Sequence, residues 1–261
     1  MRVLVSVYRH VKMIIKALMP FFFVSWIIRI KRPGLPRFKK QFFNLADTLA
    51  DGRFSCSWED RFPCLDDATS TTVFDAHYLY HPAWAARGIM ENPPPKHIDI
   101  SSSLNFVSML SAFVPVEFYD YRPADINLEG LSCRKADLRA LPFDDNSIVS
   151  LSCMHVVEHI GLGRYGDQID PKGDQYAMHE LTRVLARAGL LYFVVPVGGQ
   201  ARIQFNAHRI YTYNMVVREF SSLRLERFSI VCDDGAFIKE AYSRDADRQR
   251  YGCGCFLFRK L

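Results

Sequence analysis

No two of the chain's seven cysteines, at positions 56, 64, 133, 153, 232, 253 and 255, stand at C-x-x-C spacing, and they follow no regular pattern. That argues against a disulfide-stapled module and against the common structural zinc motifs, and leaves the thiols as reduced, mostly buried side chains. Cys253 and Cys255 flank one glycine, so on a strand they would share a face. Acidic residues are missing from the first forty positions, where Arg9, Lys12, Lys16, Arg29, Lys31, Arg32, Arg37, Lys39 and Lys40 cluster. A long apolar run is missing too. The stretch 17–28 (ALMPFFFVSWII) contains Pro20 and is well short of the roughly 20 residues that span a bilayer. No small-residue cleavage site follows it, unlike a secretory leader. Residues 1–32 therefore read as a helix that lies on a membrane through residues 11–32 or packs on the protein, and less readily as a short anchor. In each case the remainder is expected in the cytoplasm, at the inner face of the membrane if the helix touches lipid. The formal charge of +5 comes partly from this block, and with no repeat and no nucleic-acid motif it makes no nucleic-acid binder.

What is present is enough apolar residue, 49%, for one full core in a chain of single-domain length. Residues 33–72, with Pro33, Pro36, Pro63 and scattered charges, read as an irregular lead-in. Residues 73–261 then alternate. A helix over 73–90 ends at Asn92-Pro-Pro-Pro. Strands follow at 97–100, 116–119, 132–135, 148–152, 190–195, 225–232 and 253–258, with helices at 106–113, 176–185 and 214–220. Such alternation predicts an α/β fold with a doubly wound, mostly parallel sheet. The short, polar link before the last strand predicts that this strand runs antiparallel. Ligands of such sheets bind beyond the carboxyl ends of the strands.

That edge carries acidic residues at successive strand ends: Asp99, then Asp120 21 residues on, then Asp137 ahead of Leu138-Arg-Ala-Leu-Pro-Phe. The order of Asp137, the L-P-F turn, the strand 148–152 and "VVEHI" resembles the central third of class I S-adenosylmethionine-dependent methyltransferases. A wider pattern resembles an uncharacterised, methyltransferase-like family known as a domain of unknown function. It runs from Tyr78-x-x-His81-x-Ala-Trp84-Ala-Ala-Arg87 through HIDI, GLGRYGD and FVVPVG, roughly residues 74–258. The resemblance implies the class I methyltransferase fold with an N-terminal helical extension. It also implies S-adenosylmethionine as cofactor and methyl transfer to a small-molecule or glycan acceptor, with a sugar as the expected class.

Carried onto this chain, the resemblance makes Asp99, Ser101, Ser103, Asp120, Asp137, Leu138 and Cys153 the cofactor residues. Asp120 would accept from ribose hydroxyls, and Asp137 from the adenine amine. The family's three glycines fall on Ser101, Ser103 and Asn105, so a turn that normally needs close backbone approach is built here without glycine. Methyl transfer from a sulfonium depends mainly on alignment, and a base is required only for a hydroxyl or protonated amine acceptor. His155 is the first candidate for that base and His159 the second. Glu158, Arg164, Tyr165, Asp167, His208 and Arg209 are candidate acceptor contacts.

Two other readings stay open. The glycine-free turn suits a catalytically inactive descendant of the fold that serves as a binding or scaffold protein. His155-x-x-Glu158-His159 also spells an inverted zinc-peptidase motif. Zinc hydrolysis needs both histidines on one face of a long helix, whereas a strand precedes these and Gly161-Leu-Gly163 follows, so no metal ligand set is expected.

Overall fold

The computed structural model describes residues 34–49 and 53–261; the apolar, basic-flanked N-terminal stretch lies outside them. No helix among the described residues is long and apolar enough to cross a membrane. The chain divides into two compact units at Val73/Phe74.

The first unit corrects the expectation of an irregular lead-in. A 14-residue helix, α1 (Leu35–Thr48), occupies it. Pro36 stands in its first turn, where a missing N–H costs nothing. Phe42 and Phe43 pack on Trp58 with ring centroids 4.9 and 5.6 Å away. Charged residues between the aromatic ones masked this amphipathic pattern.

The second unit opens with α2 (Ala76–Glu91), capped by the Asp75 carboxylate, which accepts the Tyr78 N–H at 3.1 Å. Then come β1 (His97–Ile100), α3 (Leu104–Leu110), β2 (Val116–Asp120), β3 (Leu131–Lys135) and β4 (Ile148–Met154). After these run α4 (Gly173–Val184), β5 (Leu185–Val197), a hairpin of β6 (Arg202–Gln204) and β7 (His208–Ile210), and α5 (Tyr213–Glu219). The chain ends with β8 (Leu223–Val231), β9 (Phe237–Ile238), α6 (Ser243–Asp247) and β10 (Gly252–Lys260).

Eight strands form one sheet in the order β3-β2-β1-β4-β5-β10-β8-β9. From β3 to β5 all neighbours are parallel, and β10 inserts antiparallel between β5 and β8, as the short final link predicts. The period-2 alternation of strand side chains builds a core on each face. Leu191, Phe193 and Val195 point to one side with Met178 and Leu181 of α4 and Phe220 beyond α5. Tyr192 and Val194 point to the other with Ala85 and Ile89 of α2 and Phe106 and Leu110 of α3. Cys253 and Cys255 do share a face, their sulfurs 4.0 Å apart.

Residues 187–189, between the predicted helix 176–185 and the predicted strand 190–195, are absorbed into β5. Ala188 takes a left-handed φ of 60°, and the β4 to β5 register slips between Ile148 and Ser150, so the strand continues through a bulge.

Candidate active site at the carboxyl edge of the sheet

Because β1 to β4 are parallel, the residues just past their ends converge on one edge. Ser101, Asp120, Asp137 and Leu138 line a single pocket there, with Arg139 and Val156. Ser101 adopts φ 55°, a left-handed conformation that costs an L-residue about 1 kcal/mol and glycine almost nothing. Its Oγ and N–H both donate to the Tyr119 carbonyl, at 3.1 and 2.9 Å. Serine thus adopts the backbone conformation that glycine favours. The Ser102 N–H donates to Asp99 Oδ1 at 3.0 Å, and Ser103 Oγ accepts the Phe106 N–H at 3.3 Å, capping α3.

Asp99 is fully buried and lines neither of the clefts at this edge. Its carboxylate accepts from Ser102 and from the Ser152 hydroxyl, so it shapes the turn beneath the pocket and does not face a cofactor. Burial pushes its carboxyl up to about 6. Ser152 spends its one proton on Asp99, so His97 Nε2, 2.8 Å from Ser152 Oγ, is the donor of that pair. His97 Nδ1 then accepts from Ser150 at 2.8 Å. Full burial holds this imidazole neutral, down to about 3. Cys153 likewise leaves the site: it is 1% exposed within the core, and burial pushes its thiol well up.

Asp120 Oδ1 accepts the Arg122 N–H at 2.7 Å, and Oδ2 has no protein partner among the described residues. The Asp137 carboxylate accepts from the Arg139 backbone at 2.9 Å and from both edges of its guanidinium at 3.1 and 2.8 Å. That guanidinium holds the carboxyl below its usual range.

A second cleft adjoins the first through Ser101, His155, His159 and Tyr165, and extends over Glu158, Arg164, His208, His77 and Tyr251. Tyr165 stands between two guanidinium groups, Arg122 at 4.7 Å and Arg164 at 5.1 Å from its ring centre. Asp167 accepts the Gly161 N–H at 2.6 Å and the Tyr165 N–H at 3.3 Å, bracing the loop that carries them. Gly161 has φ 79°, and a Cβ there would also run into the Asp170 carbonyl, so both the turn and the close approach call for glycine.

His155 follows β4 at φ 57° with its N–H still on the sheet, donating to Val194 O at 2.8 Å. Both ring nitrogens are engaged: Nδ1 with Glu158 Oε1 at 2.9 Å and Nε2 with Cys253 Sγ at 3.3 Å. Burial lowers it to about 4. Glu158 is 1% exposed, its Oε2 has no partner among the described residues, and burial raises its carboxyl to about 7. His159 is placed differently. Its Nδ1 lies 2.6 Å from the Ala207 carbonyl, which only accepts, so Nδ1 carries the proton and Nε2 the lone pair. Arg164 Nη1, 3.2 Å from both, therefore donates to Ala207 O and not to the ring. Burial lowers His159 as well.

Arg209 leaves the site. It is 6% exposed and donates to the Ile160 and Asp170 carbonyls at 2.6 and 3.3 Å, with Asp174 at 3.5 Å. Within the H-x-x-E-H sequence, Val157–His159 form one 3-10 turn, and His155, the first residue of the motif, is left-handed. Its two histidines flank Glu158 Oε1, at 2.9 and 3.8 Å, and share no helix face. The peptidase geometry is not built.

Residues 144–226 match a family model. It is described as Caenorhabditis protein of unknown function, DUF268, and spans β4 through the start of β8, about a third of the chain. A search of curated proteins returns no match. Among solved structures, a candidate sarcosine dimethylglycine methyltransferase from Galdieria sulphuraria is 14% identical, with a TM-score of 0.51 over 70% of this chain and 86% of that one. The N-methyltransferase NodS from Bradyrhizobium japonicum, solved with S-adenosyl-L-homocysteine, is 12% identical with a TM-score of 0.49, over 75% and 92%. The fold of this chain is that of the class I methyltransferases.

Sequence reasoning missed His77, Tyr251 and Cys253. They come from α2, the loop before β10 and β10 itself, so no spacing links them to His155. The one local signal was Cys253-Gly-Cys255.

Proposed function

We propose that the unit Phe74–Leu261 is an S-adenosylmethionine-dependent methyltransferase acting on a small polar acceptor, a sugar or glycan precursor being the class the cleft suits best. The observation that carries this is the joining of two clefts: one with Ser101, Asp120, Asp137 and Leu138, the other with His159, Arg164 and His208. The first fits a nucleoside. Asp120 has a carboxylate oxygen without a protein partner for ribose hydroxyls, and Leu138 supplies an apolar wall beside Asp137. When bound there, the cofactor supplies an electrophilic methyl.

The protein's part is alignment and proton removal. His155 has no free nitrogen, so the base falls to His159. The Ala207 carbonyl fixes its tautomer, and its Nε2 lone pair can take the proton of an acceptor hydroxyl or ammonium. Arg122 and Arg164 at the junction favour an acceptor that carries negative charge, such as a phosphorylated sugar.

A binding-only protein is the second reading, favoured by the serine turn and by the Arg139 guanidinium already seated on Asp137. Calorimetric titration with S-adenosylmethionine and S-adenosylhomocysteine tests both. No binding at millimolar ligand ends the methyltransferase reading. Binding without turnover on any phosphorylated sugar favours the second.

A further inference from the structure

We propose that His77, His155 and Cys253 form a site for one thiophilic divalent cation of the zinc type, with a fourth coordination position open to the cleft beside them. The three residues come from the first turn of α2, the end of β4 and the start of β10. Their ligand atoms all lie within 4.8 Å of one another, and His155 Nε2 is 3.3 Å from Cys253 Sγ. With Zn–S near 2.3 Å and Zn–N near 2.0 Å, a tetrahedral ion holds such atoms about 3.5 Å apart, so small adjustments close the set. The His77 and His155 rings stack nearly parallel, 7° apart in plane with centroids 6.0 Å apart, so rotation of the His77 ring brings a lone pair of each onto one ion.

The surroundings match a ligand set and not a chance cluster. Glu158, almost fully buried, accepts from His155 Nδ1 at 2.9 Å. A carboxylate on the far nitrogen is the usual device that fixes a metal-binding histidine and turns its other lone pair toward the ion. Neither ring nitrogen of His77 has a hydrogen-bond partner among the described residues, and Tyr251 stacks on it with centroids 5.4 Å apart. Two imidazoles and one thiol select zinc-type cations over magnesium or calcium. On binding, Cys253 loses its thiol proton to solvent and both histidines stay neutral. His77 and His155 border the cleft of His159 and His208, so three protein ligands leave a place for an acceptor oxygen. That last clause alone rests on the methyltransferase reading.

The test is titration of the full chain, stripped by chelator, with Co²⁺ alone and then Zn²⁺. One equivalent of Co²⁺ should give a sulfur-to-cobalt charge-transfer band, removed by one equivalent of Zn²⁺. Cys253→Ser should abolish the band, and His77→Ala should weaken binding by roughly tenfold or more with an unchanged circular dichroism spectrum. Absence of the band, or a band that survives Cys253→Ser, overturns the site. Should Cys253→Ser fail to fold, unchanged affinity in His77→Ala overturns it instead. S-adenosylhomocysteine titrated into the metal-free protein is read separately, so the site and the methyltransferase reading fail independently.

Discussion

The Met154 N–H donates to Ser102 Oγ at 3.1 Å, tying the turn after β1 to the end of β4. This bond joins the segment that lacks glycine to the strand that leads into His155. Together with the Ser102 N–H on Asp99, it replaces by side-chain hydrogen bonding the freedom that glycine would have supplied.

Ser101→Gly should therefore be nearly silent in stability. It removes a left-handed serine, a gain of about 1 kcal/mol, and one hydrogen bond to Tyr119 O, a loss of about the same size. Ser101→Val, β-branched at φ 55°, should cost roughly 2 kcal/mol or more. Urea denaturation of the two variants checks the pair. A valine variant as stable as the parent would show that the turn tolerates any residue.

At the proposed cofactor pocket, Asp120→Ala should weaken S-adenosylhomocysteine binding by about tenfold, the worth of a hydrogen bond to a charged group. Asp137→Ala also frees Arg139, so its effect should be similar in affinity with a small loss of stability. Calorimetry beside a melting curve separates them. Unchanged affinity in both would move the cofactor elsewhere.

Much of the fold was legible because alternation over four or more residues marks β1 to β5, β8 and β10, and proline or glycine marks their ends. The β6–β7 hairpin was not legible: its strands are three residues long, too short for a period to register. The strand-end order pointed to Asp120, Asp137 and Leu138, and the structure brings these three to one pocket. It misled at Asp99 and Cys153, because a residue inside a strand points to a face of the sheet and not off its end. Arg209 was read as a rim residue because its neighbour His208 is one. Alternation on β7 turns the two in opposite directions, a buried arginine being one that finds carbonyls.

The His97 to Ser152 to Asp99 relay makes a prediction in pH. Asp99 has a folded value near 6 against an ordinary 3.8. Its protonation therefore stabilises the fold fully below 3.8, and that stabilisation is lost as pH rises through about 6. His97, near 3 when folded against 6.5, acts oppositely: its stability is present above 6.5 and is lost as pH falls toward 3. Between about 6 and 3.8 the two slopes cancel, each about 1.4 kcal/mol per pH unit. Asp99→Asn removes one of them. The stability difference between parent and variant, from urea denaturation at successive pH values, should change by on the order of 3 kcal/mol in favour of the parent from pH 6 to 3.8. Parallel curves would mean that Asp99 keeps an ordinary carboxyl.

Neighbouring residues His208 and Arg209 should respond in opposite ways to substitution. Arg209→Met strips Asp174 of its cation and leaves the Ile160 and Asp170 carbonyls short of a donor, all in buried surroundings. Removing one partner of such a pair leaves an uncompensated charge and should cost about 3 kcal/mol or more. A lower melting temperature follows, together with a general loss of activity that saturating acceptor does not restore. His208→Ala touches no such network. Its Nε2 has no partner among the described residues, it stacks on Tyr251 at 4.9 Å, and it lines the second cleft. The melting temperature should hold while the KM for a phosphorylated sugar rises by about tenfold, the equivalent of one hydrogen bond. Melting curves and steady-state kinetics on the two variants decide the matter. A KM unchanged in His208→Ala would place the acceptor away from β7, nearer to Tyr165 and the two arginines that flank it.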